Sequence, residues 1–163
     1  MSKLLPPQTI KLAAGVALCL LAGFIGSIAT TPKVGSPWYA GLARPSFSPP
    51  GWLFAPVWTI LYLMMGVALY LVWRKGLAVE GVKVALAVFL AQLVLNALWS
   101  FAFFGAESPL YGLVVIVALW VTIVATIVVF APISRTAAVL LVPYILWVSF
   151  ATILNASIYL LNR

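Results

Sequence analysis

The sequence has 163 residues, 66% of them hydrophobic and only 7% charged, with a net charge of +7 and no histidine. A soluble domain carries roughly 25% charged residues, and this chain has too few to coat a water-facing surface, so the bilayer must be the solvent for most of it. The length allows one compact bundle and no second domain.

Charges cut the chain into five uncharged stretches, 12–32, 45–73, 84–106, 108–134 and 136–162. A spanning helix needs about 20 apolar residues, so each stretch holds one span and none holds two. In lipid the backbone must satisfy its own hydrogen bonds, which makes each span an α-helix. The short alternating segments of a membrane β-barrel are absent. The expected fold class is an all-α integral membrane protein: a single domain of five transmembrane helices at about 10–31, 51–73, 84–104, 109–131 and 137–160, with a long first loop at 32–50.

The first stretch also invites comparison with a signal peptide, because Lys3 and Lys11 precede it and Ser27-Ile28-Ala29 resembles a cleavage site. Its apolar run is longer than a typical signal core of about 7–15 residues. Gly15, Cys19 and Gly23 at four-residue spacing also give it a small-residue face suited to close helix packing. An uncleaved span is expected. The second connection is short and basic, and the turns near Glu107 and Arg135 hold only a few residues, so neighbouring helices are antiparallel. The first loop is the outlier in length and is rich in Pro, Ser and aromatics, which marks it as functional. Lys3, Lys11, Arg74, Lys75, Lys83 and Arg135 fall on the N-terminal side, against Lys33, Arg44 and Arg163 on the other. The positive-inside rule then places the N-terminus in the cytoplasm and the long loop outside. The basic residues read as helix-end anchors, and no nucleic-acid partner is expected.

The chemistry of the spans is aromatic and amide. The two acids, Glu80 and Glu107, both fall in loops, and no charge lies deep in a span. Ion pumps and proton-coupled carriers depend on such charges. No carboxylate pair or catalytic triad can be built inside the bundle. The lone Cys19 supplies no metal site, and without histidine the commonest metal ligand is missing. Phe54, Trp58, Tyr62 and Met65 share one face of the second span; Gln92, Asn96, Trp99, Ser100 and Phe103 share one on the third; Tyr144, Trp147, Ala151 and Asn155 share one on the fifth. Such faces either pack helices together or line an apolar pocket with a few orienting polar groups. Gln92 and Asn96, two amides one turn apart in an apolar helix, lean toward a site.

The residues Trp38-Tyr39, Leu42, Arg44-Pro45, Pro49-Pro50-Gly51-Trp52-Leu53-Phe54, Trp58 and Tyr62 resemble the signature of the translocator protein family, also called tryptophan-rich sensory proteins or peripheral benzodiazepine receptors. Gln92, Leu95-Asn96, Trp99 and Phe103-Phe104-Gly105 add a second motif. Pro143-Tyr144, Trp147, Phe150-Ala151 and Leu154-Asn155 add a third, so the resemblance covers nearly the whole chain. It implies a five-helix bundle, usually a homodimer in membrane lipid, whose pocket is closed by the first loop and takes protoporphyrin IX or other flat hydrophobic molecules. No cofactor is required, and porphyrin is the ligand. By matched position the ligand-binding residues are Ser27 and Thr30; Trp38 and Tyr39 in the loop; Phe54, Ala55, Val57, Trp58 and Tyr62; Asn96 and Trp99; Tyr111, Val114 and Ala118; and Trp147, Ala151 and Leu154, with Gln92 and Asn155 as polar support. Many members carry Trp where this chain has Tyr111. Leu154, Tyr159 and Arg163 fit the loose sterol pattern, but Ala156-Ser157 replace the bulky aromatics of animal members, which sets cholesterol aside. The resemblance also suggests light-dependent degradation of bound porphyrin near Trp38, Trp58 or Trp147. A porphyrin or lipid translocator without chemistry is the alternative.

Overall fold

A computed structural model describes residues 7–163, so Lys3 lies outside the described residues. The elements are α1 (Pro7–Val34), α2 (Pro37–Gly41), a 3-10 turn (Gly51–Leu53), α3 (Phe54–Trp73), α4 (Val82–Ser100), a π turn (Phe101–Gly105), α5 (Pro109–Phe130), α6 (Arg135–Leu140) and α7 (Val142–Leu161). Among the described residues five segments are long and apolar enough to cross a membrane: Pro7–Val34, Gly51–Trp73, Val82–Gly105, Pro109–Phe130 and Arg135–Leu161.

Three boundaries differ from the uniform spans expected. The last span is two helices, because Pro143 has no N–H to give and its ring crowds the preceding turn, so α6 ends and α7 begins around Leu141. The third span ends in the π turn, where Ala106 N–H reaches back five residues to Phe101 O. The first loop is partly helical: Ser36 caps α2 by accepting from Tyr39 N–H at 3.3 Å, and Pro37 starts it.

Short connections fix the packing. Ser108 and Ser134 cap α5 and α6, each accepting from the N–H three residues on at 3.2 Å. α1 packs against α3 and α4, α5 packs against α4 and α7, and α3 closes the ring against α6. The buried face of α1 is Gly15, Cys19, Ala22, Gly26 and Ala29, a run of small residues that lets backbones approach closely. A Cβ on Gly66 of α3 would fall 2.5 Å from the Cα of Val16, so this crossing exists only because position 66 has no side chain. The opposite faces carry the large apolar residues outward, Leu21, Phe24 and Ile28 among them, as lipid contact requires. Inside, Phe89 and Phe130 stack at 5.7 Å between centroids.

The first loop is tied down over the bundle. Asn162 at the end of α7 accepts from Ala43 N–H and donates to Ala43 O, both at 2.9 Å. Trp38 packs edge-on against Phe103 and Phe104 at 5.9 and 6.5 Å. Phe47 meets Phe150, and the Arg44 guanidinium lies 4.8 Å over the Tyr39 ring. Lys33 pairs with Glu107, fastening the end of α1 to the turn between the π segment and α5.

Candidate functional site

Toward the loop end, large α3 side chains face α1, Tyr62 resting against Gly23, and a cavity of about 470 Å³ opens beside them, with α4 as its back wall and Tyr39 above. Its size falls within the ~300–1,000 Å³ of small-molecule pockets. α3 contributes Phe54, Ala55, Trp58, Thr59 and Tyr62, roughly one turn apart; α4 contributes Asn96, Trp99 and Ser100, with Phe104 from the π turn; α1 contributes Leu20, Gly23, Phe24, Ser27, Thr30, Thr31 and Val34. Trp58 stacks on Tyr62 at 5.6 Å, and Trp99 on Phe103 at 5.5 Å, so the walls present braced aromatic rings. Phe24 is 66% exposed and Leu20 38%, so the α1 side of the cavity lies at the lipid-facing surface.

The floor is a chain of buried polar groups. Tyr62 Oη donates to Asn96 Oδ1 at 2.6 Å, Asn96 Nδ2 donates to Tyr144 Oη at 2.8 Å, and Tyr144 Oη donates to Gln92 Oε1 at 2.8 Å. Gln92 Nε2 ends the chain 3.9 Å from the Met65 sulfur. Each amide is satisfied, as buried polar groups must be. Tyr62 alone of the four is half-buried and brings its hydroxyl to the cavity edge. Asn155 serves elsewhere: it accepts from Trp99 Nε1 at 3.0 Å and donates to Pro109 O at 2.8 Å, holding the start of α5 beside the π turn. A Cβ on Gly112 would fall 2.9 Å from Asn155 Oδ1, so that staple too needs a glycine.

Of the expected ligand-binding residues, the cavity brings together Ser27, Thr30, Tyr39, Phe54, Ala55, Trp58, Tyr62, Asn96 and Trp99. Trp38 packs behind it on Phe103 and Phe104, and Val57 packs on the core. Tyr111 and Val114 are 61% and 62% exposed and Ala118 is exposed as well, which puts the α5 wall on the outside of the bundle. Ala151 and Leu154 are buried in the core. Trp147 stands edge-on behind Phe54 at 5.8 Å, and its indole Nε1 is buried without a hydrogen-bond partner. Leu154 faces the interior while Arg163 is exposed, so the sterol-pattern residues do not share one outward surface. Leu20, Gly23, Phe24, Thr31, Val34, Gly51 and Thr59 line the cavity without having been expected there. Among the described residues no three His, Cys, Asp or Glu side chains gather where they could hold a metal ion.

A ring of membrane-spanning helices enclosing an aromatic cavity beneath a fastened loop defines a multi-pass membrane protein built around a small apolar site. Comparison with known proteins gives the family. Residues 15–161 match the TspO/MBR family. The chain is 52% identical over 155 residues to Tryptophan-rich protein TspO of Chlorobaculum tepidum, covering 95% of this chain and 98% of that one. It is 40% identical over 145 residues to Translocator protein of Sus scrofa, covering 88% and 85%. It is 38% identical over 139 residues to Tryptophan-rich sensory protein of Cereibacter sphaeroides, covering 84% and 85%. The chain belongs to the TspO/MBR family and is an integral, multi-pass member of it.

Proposed function

We propose that this protein is a membrane receptor for porphyrins, protoporphyrin IX foremost, and that it holds the flat ring in the cavity between α1, α3 and α4. The observation that carries this reading is the cavity itself: apolar walls with Phe54, Trp58 and Trp99 for stacking, and a few polar groups, Ser27, Thr30, Tyr62 and Asn96, to set orientation. Its rings come from opposed elements, Phe54 and Trp58 on α3 and Trp99 on α4, which suits a planar ligand with two faces better than a chain-like lipid. The buried, unpartnered indole N–H of Trp147 supports an extension of the site. Rotation of Phe54 away from Trp147 joins the α7 wall to the cavity, and a ligand carboxylate or carbonyl then accepts a hydrogen bond from that N–H.

In this reading degradation of the bound ring is photochemical. Light absorbed by the porphyrin and dioxygen supply the oxidation, and the protein supplies a dry enclosure with Trp58 and Trp99 alongside. Titration of protoporphyrin IX into the detergent-solubilised protein, followed by tryptophan emission, tests binding. Saturable quenching that weakens in Trp58→Phe and Trp99→Phe is expected, and emission unchanged at excess ligand rejects the reading. Loss of porphyrin only under illumination in air is expected for the photochemical step, whereas consumption in darkness assigns a true enzyme. Binding without loss under either condition leaves a translocator or a sensor.

A further inference from the structure

A second cleft, of about 670 Å³, lies at the opposite end of the bundle, where the α3–α4 connection meets the end of α5. Val84, Val128, Val129 and Ile133 make its apolar wall, and Lys75 and Glu80 bring two opposite charges to it. These charges do not pair with each other, and among the described residues neither pairs with any other charged side chain; the ion pair in the fold, Lys33–Glu107, is at the far end. Gly81 makes the turn at the cleft's edge with a φ of 81°, a conformation that favours glycine, and Ile133 is its nearest neighbour across the cleft.

The level of the cleft in the bilayer is marked by its neighbours. Lys11 lies 5.6 Å over the Trp73 ring and Arg74 5.7 Å over Tyr70, the pairing of cation and aromatic that collects at the headgroup layer. Lys75 and Glu80 therefore stand among headgroups, while Val84 and Val128, 61% and 64% exposed, continue the wall toward acyl chains.

We propose that this cleft binds one phospholipid with a primary-amine headgroup, a phosphatidylethanolamine. The phosphate accepts from the Lys75 ammonium, the lipid ammonium donates to the Glu80 carboxylate, and an acyl chain runs along Val84 and Val128. A choline headgroup has no N–H for Glu80. A glycerol headgroup satisfies Lys75 but brings no cation to the Glu80 carboxylate.

The test uses the full chain in detergent micelles doped with phosphatidylethanolamine, phosphatidylcholine or phosphatidylglycerol of identical acyl chains. Retained lipid is read by native mass spectrometry. The ethanolamine lipid should be retained about tenfold over the other two, the weight of one charge-assisted hydrogen bond. Glu80→Gln should reduce that preference to parity, Lys75→Gln should lower retention of all three lipids alike, and Arg163→Gln should leave both retention and preference intact. Melting curves and porphyrin titrations of the same variants, expected unchanged, show that the bundle still folds. Parity in the unaltered protein, or a preference for phosphatidylglycerol, overturns the proposal, as does a preference that survives Glu80→Gln or retention that Lys75→Gln leaves unchanged. Water-soluble glycerophosphoethanolamine should not displace the lipid, since it has no chain for the valine wall; displacement would assign the cleft to a free phosphoamine instead.

Discussion

The two halves of the α1–α3 crossing use the same helices to opposite ends. Near Gly15 and Gly66 both partners are small, the backbones touch, and nothing else fits between them. Near Gly23 and Ser27 only α1 is small; α3 brings Tyr62, Trp58 and Phe54, and the space between becomes the cavity. The difference teaches that small residues on one helix do not by themselves make a close contact. What faces them decides whether the result is a seal or a room. Without water between helices, association in the bilayer depends on van der Waals fit and a few hydrogen bonds, so both halves should respond sharply to single side chains.

The sealed half should break hardest. Gly66→Ala sets a methyl 2.5 Å from Val16 Cα and 2.9 Å from its N, backbone atoms that cannot turn aside. A loss of about 3 kcal/mol, the upper end for overpacking, is expected, read as a lowered melting temperature in detergent. A neutral result would show that the seal is soft. Next comes the polar floor of the open half. Asn96→Ala removes the acceptor of Tyr62 and a donor to Tyr144, with an expected cost of about 1–2 kcal/mol and weaker porphyrin binding.

Gly23→Ala sharpens the comparison. Its Cβ would come 2.4 Å from a Tyr62 ring carbon, but that ring borders empty space and can swing. The expected cost is only about 1 kcal/mol, roughly the Tyr62–Asn96 hydrogen bond, together with a severalfold loss of ligand affinity as the ring enters the cavity. A stability loss equal to that of Gly66→Ala would erase the distinction between the halves. The smallest effect is expected at the loop tether. Asn162→Ala frees Ala43 on the exposed surface and should change the melting temperature little, while amide exchange in the first loop speeds up. Unchanged exchange would mean that the aromatic contacts of Trp38 and Phe47 hold the loop unaided.

The spans were legible because charge is rare and lipid forbids unpaired backbone; five uncharged stretches left little choice. The α3 and α4 faces were legible because Trp, Tyr and Asn stand out in an apolar helix. The α1 face was not: Leu20, Phe24, Thr31 and Val34 share a side with Ser27, yet in a membrane helix core and lipid are equally apolar, and no contrast reports which side a leucine takes. The α5 residues Tyr111, Val114 and Ala118 were placed by matched position alone, and here that face looks outward. Two structural devices were hidden for another reason. The Asn162–Ala43 tether joins residues 119 apart in the sequence through a backbone that no side-chain pattern reveals, and the π turn depends on how neighbours crowd the helix rather than on composition.

That π turn has a consequence for how the chain tolerates changes in length. A π turn is an α-helix holding one surplus residue, so deleting a single residue within 101–105 would give an ordinary helix of nearly the same extent. What the deletion would cost is phase. Removing a residue turns everything after it by one helical step, about 100°, relative to what precedes it. A deletion ahead of Phe103 and Phe104 would swing both buried rings away from Trp38, which rests an edge on each. The seating of Trp38 thus depends on a counting irregularity more than sixty residues downstream, and insertions or deletions there would be felt in how the first loop packs rather than in the helix.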